Sequence, residues 1–407
     1  MFEVKTIFEV FQIIEEKFSE FRLEDEQVTL QDALGRITAS AITATEDLPG
    51  FNRSAVDGYA VIAANTFGCS DSLPAQLTLA GEVKMGEKPC FSIHPGQAAY
   101  IPTGGELPEN ADAVVMIEYA EDFNDDYIYL SKPAAPGNNV VFKSDDLKIG
   151  DPVIQANQRL RPQDIGVLAA LGIETALVKK RIRVGIIATG DEVVDIRQKP
   201  VGAQVRDVNS YTLYAGLLEY GATPLFYGII HDRRQKIEEA VAGALSECDV
   251  VLISGGSSVG VKDETYQVIA SLEKSEVLVH GIAIKPGKPT IIGKVAEKAV
   301  IGLPGHPASA FFIFKLVVTR LLDRMNGIER KPAGTIRAKL AVNYPSNHGR
   351  EEYAPVMLQE VNGEIEAQPI FGKSGLIKLL ASADGYVKIE RGSEGISKGQ
   401  EVEVILF

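Results

Sequence analysis

Cysteine is scarce in this 407-residue chain. Cys69, Cys90 and Cys248 are isolated thiols without CxxC spacing, which points to neither a disulfide framework nor a structural zinc site and fits a reducing, cytoplasmic setting. Histidine is equally sparse. His94, His231, His280, His306 and His348 never fall in the i, i+4 pairing of a helical zinc site, so a histidine-rich metal centre is not expected. Basic excess is missing as well: 41 Lys and Arg stand against 55 Asp and Glu, for a formal charge of -14. That balance argues against nucleic acid, whose binding needs a basic face. An anionic small ligand would have to be held locally, by helix N-termini, lysines and a metal ion. No apolar run approaches a membrane span. The opening MFEVKTIFEVFQIIEEKF is acidic throughout, unlike a signal peptide. GxGxxG is absent, and nicotinamide chemistry loses its best support with it. There is no internal repeat and no low-complexity tract.

What the chain does contain is ordinary globular composition, 45% hydrophobic and 24% charged, long enough for about two to four domains. Ile7, Val10, Phe11, Ile14 and Phe18 recur at helical spacing and predict an amphipathic opening helix. A Gly- and Pro-punctuated, strand-rich stretch over 45–142 reads as a β-rich insert. RPQDIGVLAALG predicts a helix ended by Gly172. From Arg181 the rhythm becomes strand, loop, helix: RVGIIATG, then SYTLYAGLLEYG with Ser210 as a candidate N-cap, PLFYGII, RRQKIEEAVAGALSEC, DVVLISGG, and a closing helix from Pro307. Such alternation implies a mainly parallel, three-layer α/β sheet with ligands at the carboxyl ends of its strands. After Gly327 short strands return and predict a separate small β domain.

Three Gly/Pro loops fall at those strand ends: SGGSSVGVKDE, KPGKP and LPGHPASA. Gly removes the Cβ, so backbone N–H groups can approach an anion, and Lys285 and Lys288 add fixed positive charge at one rim. Asp263 and Glu264 follow the first loop, and carboxylates beside a phosphate cradle suit a divalent cation between them. ATGDEVV puts Asp191 and Glu192 at another strand end. Asp232 in GIIHDRR can cap the following helix or bind metal. In the insert, PGFNRSAVDGYA carries Asp57 and IPTGGELP carries Thr103, each an anion-facing loop or simply a turn.

LPGFNRSAVDGYAV, IPTGGELPENADAVVMIE, ATGDE, GGSSVGVKD, IKPGKP and LPGHPASA, in that order, resemble the molybdopterin molybdenumtransferase family, the MoeA and gephyrin E-domain proteins, over nearly the whole chain. The resemblance implies an α/β plus β fold in a multidomain, elongated subunit. Its parts would be an elongated segment (1–44 and 143–180), a β-rich insert (45–142), a molybdopterin-binding three-layer α/β domain (181–327) and a C-terminal β domain (328–407). It also implies a homodimer whose cleft sets Asp57, Thr103 and Glu118 of one copy opposite the glycine loops of the other. By the same resemblance Glu192, Asp232 and Asp263 fall on the family's functional acids, Asp232 and Asp263 as magnesium ligands. Gly255, Gly256, Ser257, Ser258, Gly260, Pro304, Gly305 and Pro307 fall on the loops that bind the cofactor, with Lys285 and Lys288 on KPGKP. Ser309, Arg350 and Ser374 match positions near its molybdate pocket. There are departures: in NVVFKSDD Val141 stands for an Arg and Ser144 for a Gly, with Asp146 still aligned. His306 stands where Asn is commoner and Ser257 where Val is common.

The expected reaction is magnesium-dependent insertion of molybdate into adenylylated molybdopterin (molybdopterin-AMP) with release of AMP, in concert with molybdopterin adenylyltransferase and other cofactor-biosynthesis proteins. Lys285 and Lys288 would stabilise developing charge, and Lys288, Ser309 and Arg350 would hold molybdate. Asp57 or Glu192 would orient the hydrolytic water. The alternatives are a non-catalytic molybdopterin-binding scaffold and a molybdopterin adenylyltransferase.

Overall fold

A computed structural model describes residues 4–123, 126–255, 264–330, 334–373, 375 and 377–407. At its centre is a six-stranded sheet in the order Thr223–Ile230, Arg183–Thr189, Val250–Ser254, Lys298–Leu303, Ile291–Val295, Ser275–His280. The first four strands run parallel and the last two antiparallel. The inner strands are apolar almost throughout, as a sheet covered on both faces requires. Helices Asn209–Tyr220, Arg234–Glu247 and Glu264–Ser271 and the long element from Pro307 to Asn326 supply that cover. The last of these carries a π-turn over Phe314–Val318.

The helix Ile7–Lys17, grouped by sequence with the elongated segment, packs instead into this α/β core. Ile7, Val10, Ile14 and Phe18 are buried there with Ile182, Leu321 and Met325. A capping box between Thr6 and Glu9 starts the helix. The helix Asn209–Tyr220 begins one residue before the expected cap: Ser210 is inside it, and Asp207 accepts the Ser210 N–H at 3.0 Å in its place.

The β-rich insert is a second six-stranded sheet, ordered Ala113–Met116, Gly58–Val61, Gln97–Ile101, Ala75–Glu82, Tyr127–Leu130, Ala120–Asp122. Val61, Leu77, Ala98, Ile128 and Leu130 form its core. Two antiparallel ribbons, Asp25–Thr29 with Thr175–Lys179 and Ile42–Thr43 with Pro152–Ile154, join the chain on either side of it. Ser144 has a φ of 68°, a backbone state that Gly adopts without strain.

The C-terminal strands Thr335–Leu340, Glu351–Val361, Glu364–Pro369, Gly385–Ile389 and Glu401–Leu406 close on themselves, because Glu351–Val361 pairs with both Glu364–Pro369 and Gly385–Ile389. A sixth strand, Ile284–Lys285, is contributed by the α/β unit and runs parallel to Glu351–Glu352. Phe312 from the α/β unit stacks against Tyr353, Tyr386 and Phe407 of the closed sheet. Backbone pairing and an aromatic cluster thus fix the C-terminal sheet beside the strand ends of the α/β sheet.

Candidate functional site

Two adjoining cavities open at those strand ends. The first, about 790 Å³, is lined by Gly255, the KPGKP loop, Pro304 to His306, Ser309 and, from the C-terminal sheet, Tyr344, Arg350 and Glu352. The second, about 660 Å³, is lined by Thr189, Val193, Gln204 to Asn209, Ser254, Pro307 and Ile377. Glu192, Gly255, Gly305 and His306 line both, so the two form one groove with a shared waist. Each cavity taken singly has the volume of an ordinary small-molecule site.

Glycine makes the waist possible. Gly255 has φ 107°, and a Cβ there would stand 2.2 Å from the Thr189 carbonyl oxygen. A Cβ on Gly305 would meet Gly255 Cα at 3.8 Å, so two backbone loops cross with little between them. Asn209 holds them in register: its Nδ2 donates to Ser254 Oγ and to the Gly305 carbonyl, both at 2.8 Å. Nothing in the sequence pattern marked Asn209; it sits between a candidate cap and a strand, and its role exists only once the two loops meet.

Lys285, Lys288, Ser309 and Arg350 share the first cavity. Lys285 is paired with Glu352 at 2.7 Å, and Glu352, almost fully buried, also accepts from Tyr344 Oη at 2.9 Å and Ser346 Oγ at 2.6 Å. Burial first, and then the Glu352 charge, push the Tyr344 phenol up, so that group stays a hydrogen-bond donor at neutral pH. Glu352 escaped sequence reasoning because a carboxylate in an alternating strand, EEYAPV, looks like any solvated position. Ser309 is buried in the first turn of the helix from Pro307, and the His306 side chain makes no cap bond there.

Acids gather on the opposite side of the waist. Asp232 is exposed, yet desolvation and the charges of Asp191, Glu192 and Glu264 hold its carboxyl above the usual carboxylate range. It does not cap the helix Arg234–Glu247, whose N-cap position is Arg233, without a side-chain cap bond. Asp191 accepts the Asp232 N–H at 3.4 Å and pairs with His231 Nδ1 at 3.0 Å. Among the described residues no three His, Cys, Asp or Glu side chains are drawn together closely enough to hold an ion. Asp263, Gly256, Ser257, Ser258, Gly260 and Ser374 lie outside the described residues.

Asp57 and Thr103 line neither cavity. They stand at one end of the insert sheet, where Gly58 pairs with both Ile101 and Met116, so Asp57, Thr103 and Glu118 follow the same three strand ends. The Thr103 N–H and hydroxyl donate to Asp57 Oδ1 at 2.7 and 3.0 Å and hold that carboxyl below its usual range. The insert thus carries a preformed Asp57–Thr103 pair that takes no part in the lining of either cavity.

Three family profiles match the chain in order: "MoeA N-terminal region (domain I and II)" over residues 5–172, "Probable molybdopterin binding domain" over 185–324 and "MoeA C-terminal region (domain IV)" over 337–407. The chain is 32% identical over 389 residues to the molybdopterin molybdenumtransferase of a Nostoc species, covering 94% of this chain and 88% of that one. It is 30% identical over 388 residues to the molybdopterin molybdenumtransferase of Bacillus subtilis, covering 94% and 90%. The crystal structure of a molybdopterin biosynthesis MoeA protein from Pyrococcus horikoshii superposes with a TM-score of 0.85 at 32% identity, over 100% of both chains.

Proposed function

We propose, from the premise that this chain belongs to the MoeA family, that it is a molybdopterin molybdenumtransferase: it inserts molybdate into adenylylated molybdopterin and releases AMP in molybdenum cofactor biosynthesis. The observation that carries this reading is the first cavity, whose lining brings Lys288, Ser309 and Arg350 to one space in a net acidic protein. A tetrahedral oxyanion is met there by charge-assisted hydrogen bonds from an ammonium and a guanidinium and by a hydroxyl.

Lys285 and Lys288 divide their work. Lys285 is neutralised by Glu352 and positions the KPGKP loop, which leaves Lys288, Arg350 and Lys373 as the cations that line the cavity for the ligand. In the overall reaction the P–O–P bond breaks, water giving its hydroxyl to one phosphorus and its proton to the leaving phosphate, while the two dithiolene sulfurs bond to molybdenum and displace an oxo group that leaves as water with the two thiol protons. Glu192 lines both cavities, which supports assigning it, rather than Asp57, the orientation of that water.

Asp232 and Asp263 would hold magnesium. The oxygen donors suit it, and the like charges that raise the Asp232 carboxyl are the kind a divalent cation relieves. When bound, it would neutralise phosphate charge. The carboxylate rim of Asp57, Thr103 and Glu118 completes the cleft from a second copy of the chain, making the working unit a homodimer. A molybdopterin adenylyltransferase is the class of protein that must supply the substrate.

The test is incubation of the purified protein with adenylylated molybdopterin, magnesium and molybdate. AMP release that depends on molybdate supports the reading; tight cofactor binding without AMP makes the protein a scaffold.

A further inference from the structure

The elongated segment, which carries the insert, joins the α/β unit at two chain crossings, one at Glu24 and one between Lys179 and Arg183. The crossings lie side by side: the Lys180 N–H donates to the Glu24 carbonyl at 2.8 Å, and Lys180 Nζ pairs with the Glu24 carboxylate at 2.6 Å. Two neighbouring strands make a hinge line, about which a small unit turns unless other contacts hold it. Beyond that line, two hydrogen bonds among the described residues run from the segment to the α/β unit. Arg159 Nη1 donates to the Tyr220 carbonyl at 2.7 Å, and Lys179 Nζ to the Asn326 carbonyl at 2.6 Å.

Both acceptors are the last residue of a helix. Asn209–Tyr220 and the long element ending at Asn326 each stop at a left-handed glycine, Gly221 with φ 96° and Gly327 with φ 70°. A helix end carries unpaired carbonyls and partial negative charge, which favour a cation there. The missing Cβ lets the cation in, since it would stand 3.1 Å from Arg159 Nη1 at Gly221 and 3.2 Å from Lys179 Nζ at Gly327. The two ends are tied to each other, because Tyr220 Oη donates to Asp323 at 2.8 Å while the Arg159 guanidinium lies 4.8 Å from the centre of the Tyr220 ring. On the segment side, Arg159 also donates to the Gly35 carbonyl at 3.1 Å, and Arg36 donates to the Lys179 carbonyl at 2.8 Å.

Arg36, Arg159, Lys179, Lys180 and Arg181 line the cleft between the units, and no carboxylate does. An anion site would show the same charges. The cleft holds only about 10 Å³, however, the room of one water. Arg159 and Lys179 spend their donors on helix ends instead.

We propose that Arg159 and Lys179 are positioning residues: by capping two glycine-ended helices they lock the angle between the elongated segment and the α/β unit, and so fix where the insert is presented. The consequence for catalysis rests on the proposed function, in which the insert's Asp57 completes the cleft of a second copy. The lock itself does not.

The experiment uses the full chain in a Cys69→Ser, Cys90→Ser background, with nitroxide labels at Gln163→Cys on the segment and Gln235→Cys on the α/β unit, both exposed positions. Cys248 is fully buried and stays unlabelled. Dilution with unlabelled chain restricts the measured distances to one copy. Arg159→Met and Lys179→Met together should widen the distance distribution about twofold or more. Arg159→Lys, which keeps a donor, should widen it less, and Lys180→Met, which removes an exposed charge on the hinge line, should leave it as in wild type. In AMP release, kcat of the Met double variant should fall with KM for molybdate unchanged, since Lys288, Ser309 and Arg350 are untouched. Should that variant fail to fold, Arg159→Met alone carries the comparison. A wild-type distribution in the Met variants, or equal widening in Lys180→Met, overturns the proposal whatever the activity. Widened distances with wild-type AMP release uphold the lock and take the insert out of the cleft. Widened distances in a protein that never releases AMP uphold the lock and sink the functional reading.

Discussion

The Lys285 ammonium lies 2.7 Å from the Glu352 carboxylate, an ion pair across the junction of the α/β unit and the C-terminal sheet. Glu352 is buried and Lys285 is half-exposed, so most of the energetic weight is on the acid. Glu352→Ala strands Lys285, Tyr344 and Ser346 together, and the expected loss is about 1–3 kcal/mol in denaturant unfolding. Unfolding at wild-type denaturant concentration would mean that the junction is held by the aromatic cluster alone.

Lys288 has a different task. With Lys285 neutralised, Lys288→Ala should lower kcat/KM for molybdate by about tenfold or more while leaving the melting temperature near wild type, the loss of one charge-assisted hydrogen bond. Lys285→Ala should do the reverse, costing stability before molybdate use. Steady-state kinetics with molybdate varied, beside melting curves, separate the two; equal effects on both variants would refute the division.

Gly255→Ala is expected to be severe. Its φ of 107° disfavours any Cβ, and the added carbon would lie 2.2 Å from the Thr189 carbonyl oxygen. A cost of at least about 2 kcal/mol follows, read as a lowered melting temperature. A variant of wild-type stability would show that the loops do not cross as described.

The raised Asp232 carboxyl has a signed consequence. A carboxyl whose folded-state pKa lies above its unfolded value favours the fold while protonated, so its contribution is complete below the ordinary carboxylate range and is lost as pH rises through the raised value. Asp232→Asn should therefore melt higher than wild type at neutral pH in metal-free buffer. Added magnesium should raise the wild-type melting temperature and leave Asp232→Asn unmoved. Equal magnesium shifts in both proteins would remove Asp232 from the metal site.

Much of this was legible in the chain. The alternation after Arg181 dictated a covered parallel sheet, because apolar runs such as VVLIS cannot face water on either side. The glycine loops announced a close approach of backbones at the strand ends, which Gly255 and Gly305 make at the waist. Other features could not be read. Two antiparallel strands at the sheet edge, Ile291–Val295 and Ser275–His280, carry short and mixed patterns. The opening helix showed its apolar stripe but not which core would take it. Glu352 and Asn209 acquire their roles from contacts with loops distant in sequence, and no local pattern encodes such partners.

Asp57 and Thr103 line neither cavity of their own chain, so a cleft completed by a second copy predicts complementation. Asp57→Asn and Glu192→Gln proteins, each inactive alone, should regain up to about half of wild-type activity per mixed dimer when co-expressed, since one of the two clefts is then intact. No recovery in a mixed dimer verified by mass would place the rim outside the active cleft.

The central claim is that the cavity beside KPGKP receives molybdate. Anomalous diffraction at the molybdenum edge, from crystals soaked in molybdate, tests it most directly. The account predicts a molybdenum peak in contact with Lys288, Ser309 and Arg350. A peak elsewhere in the groove, or no peak in crystals of protein that releases AMP in solution, would contradict it.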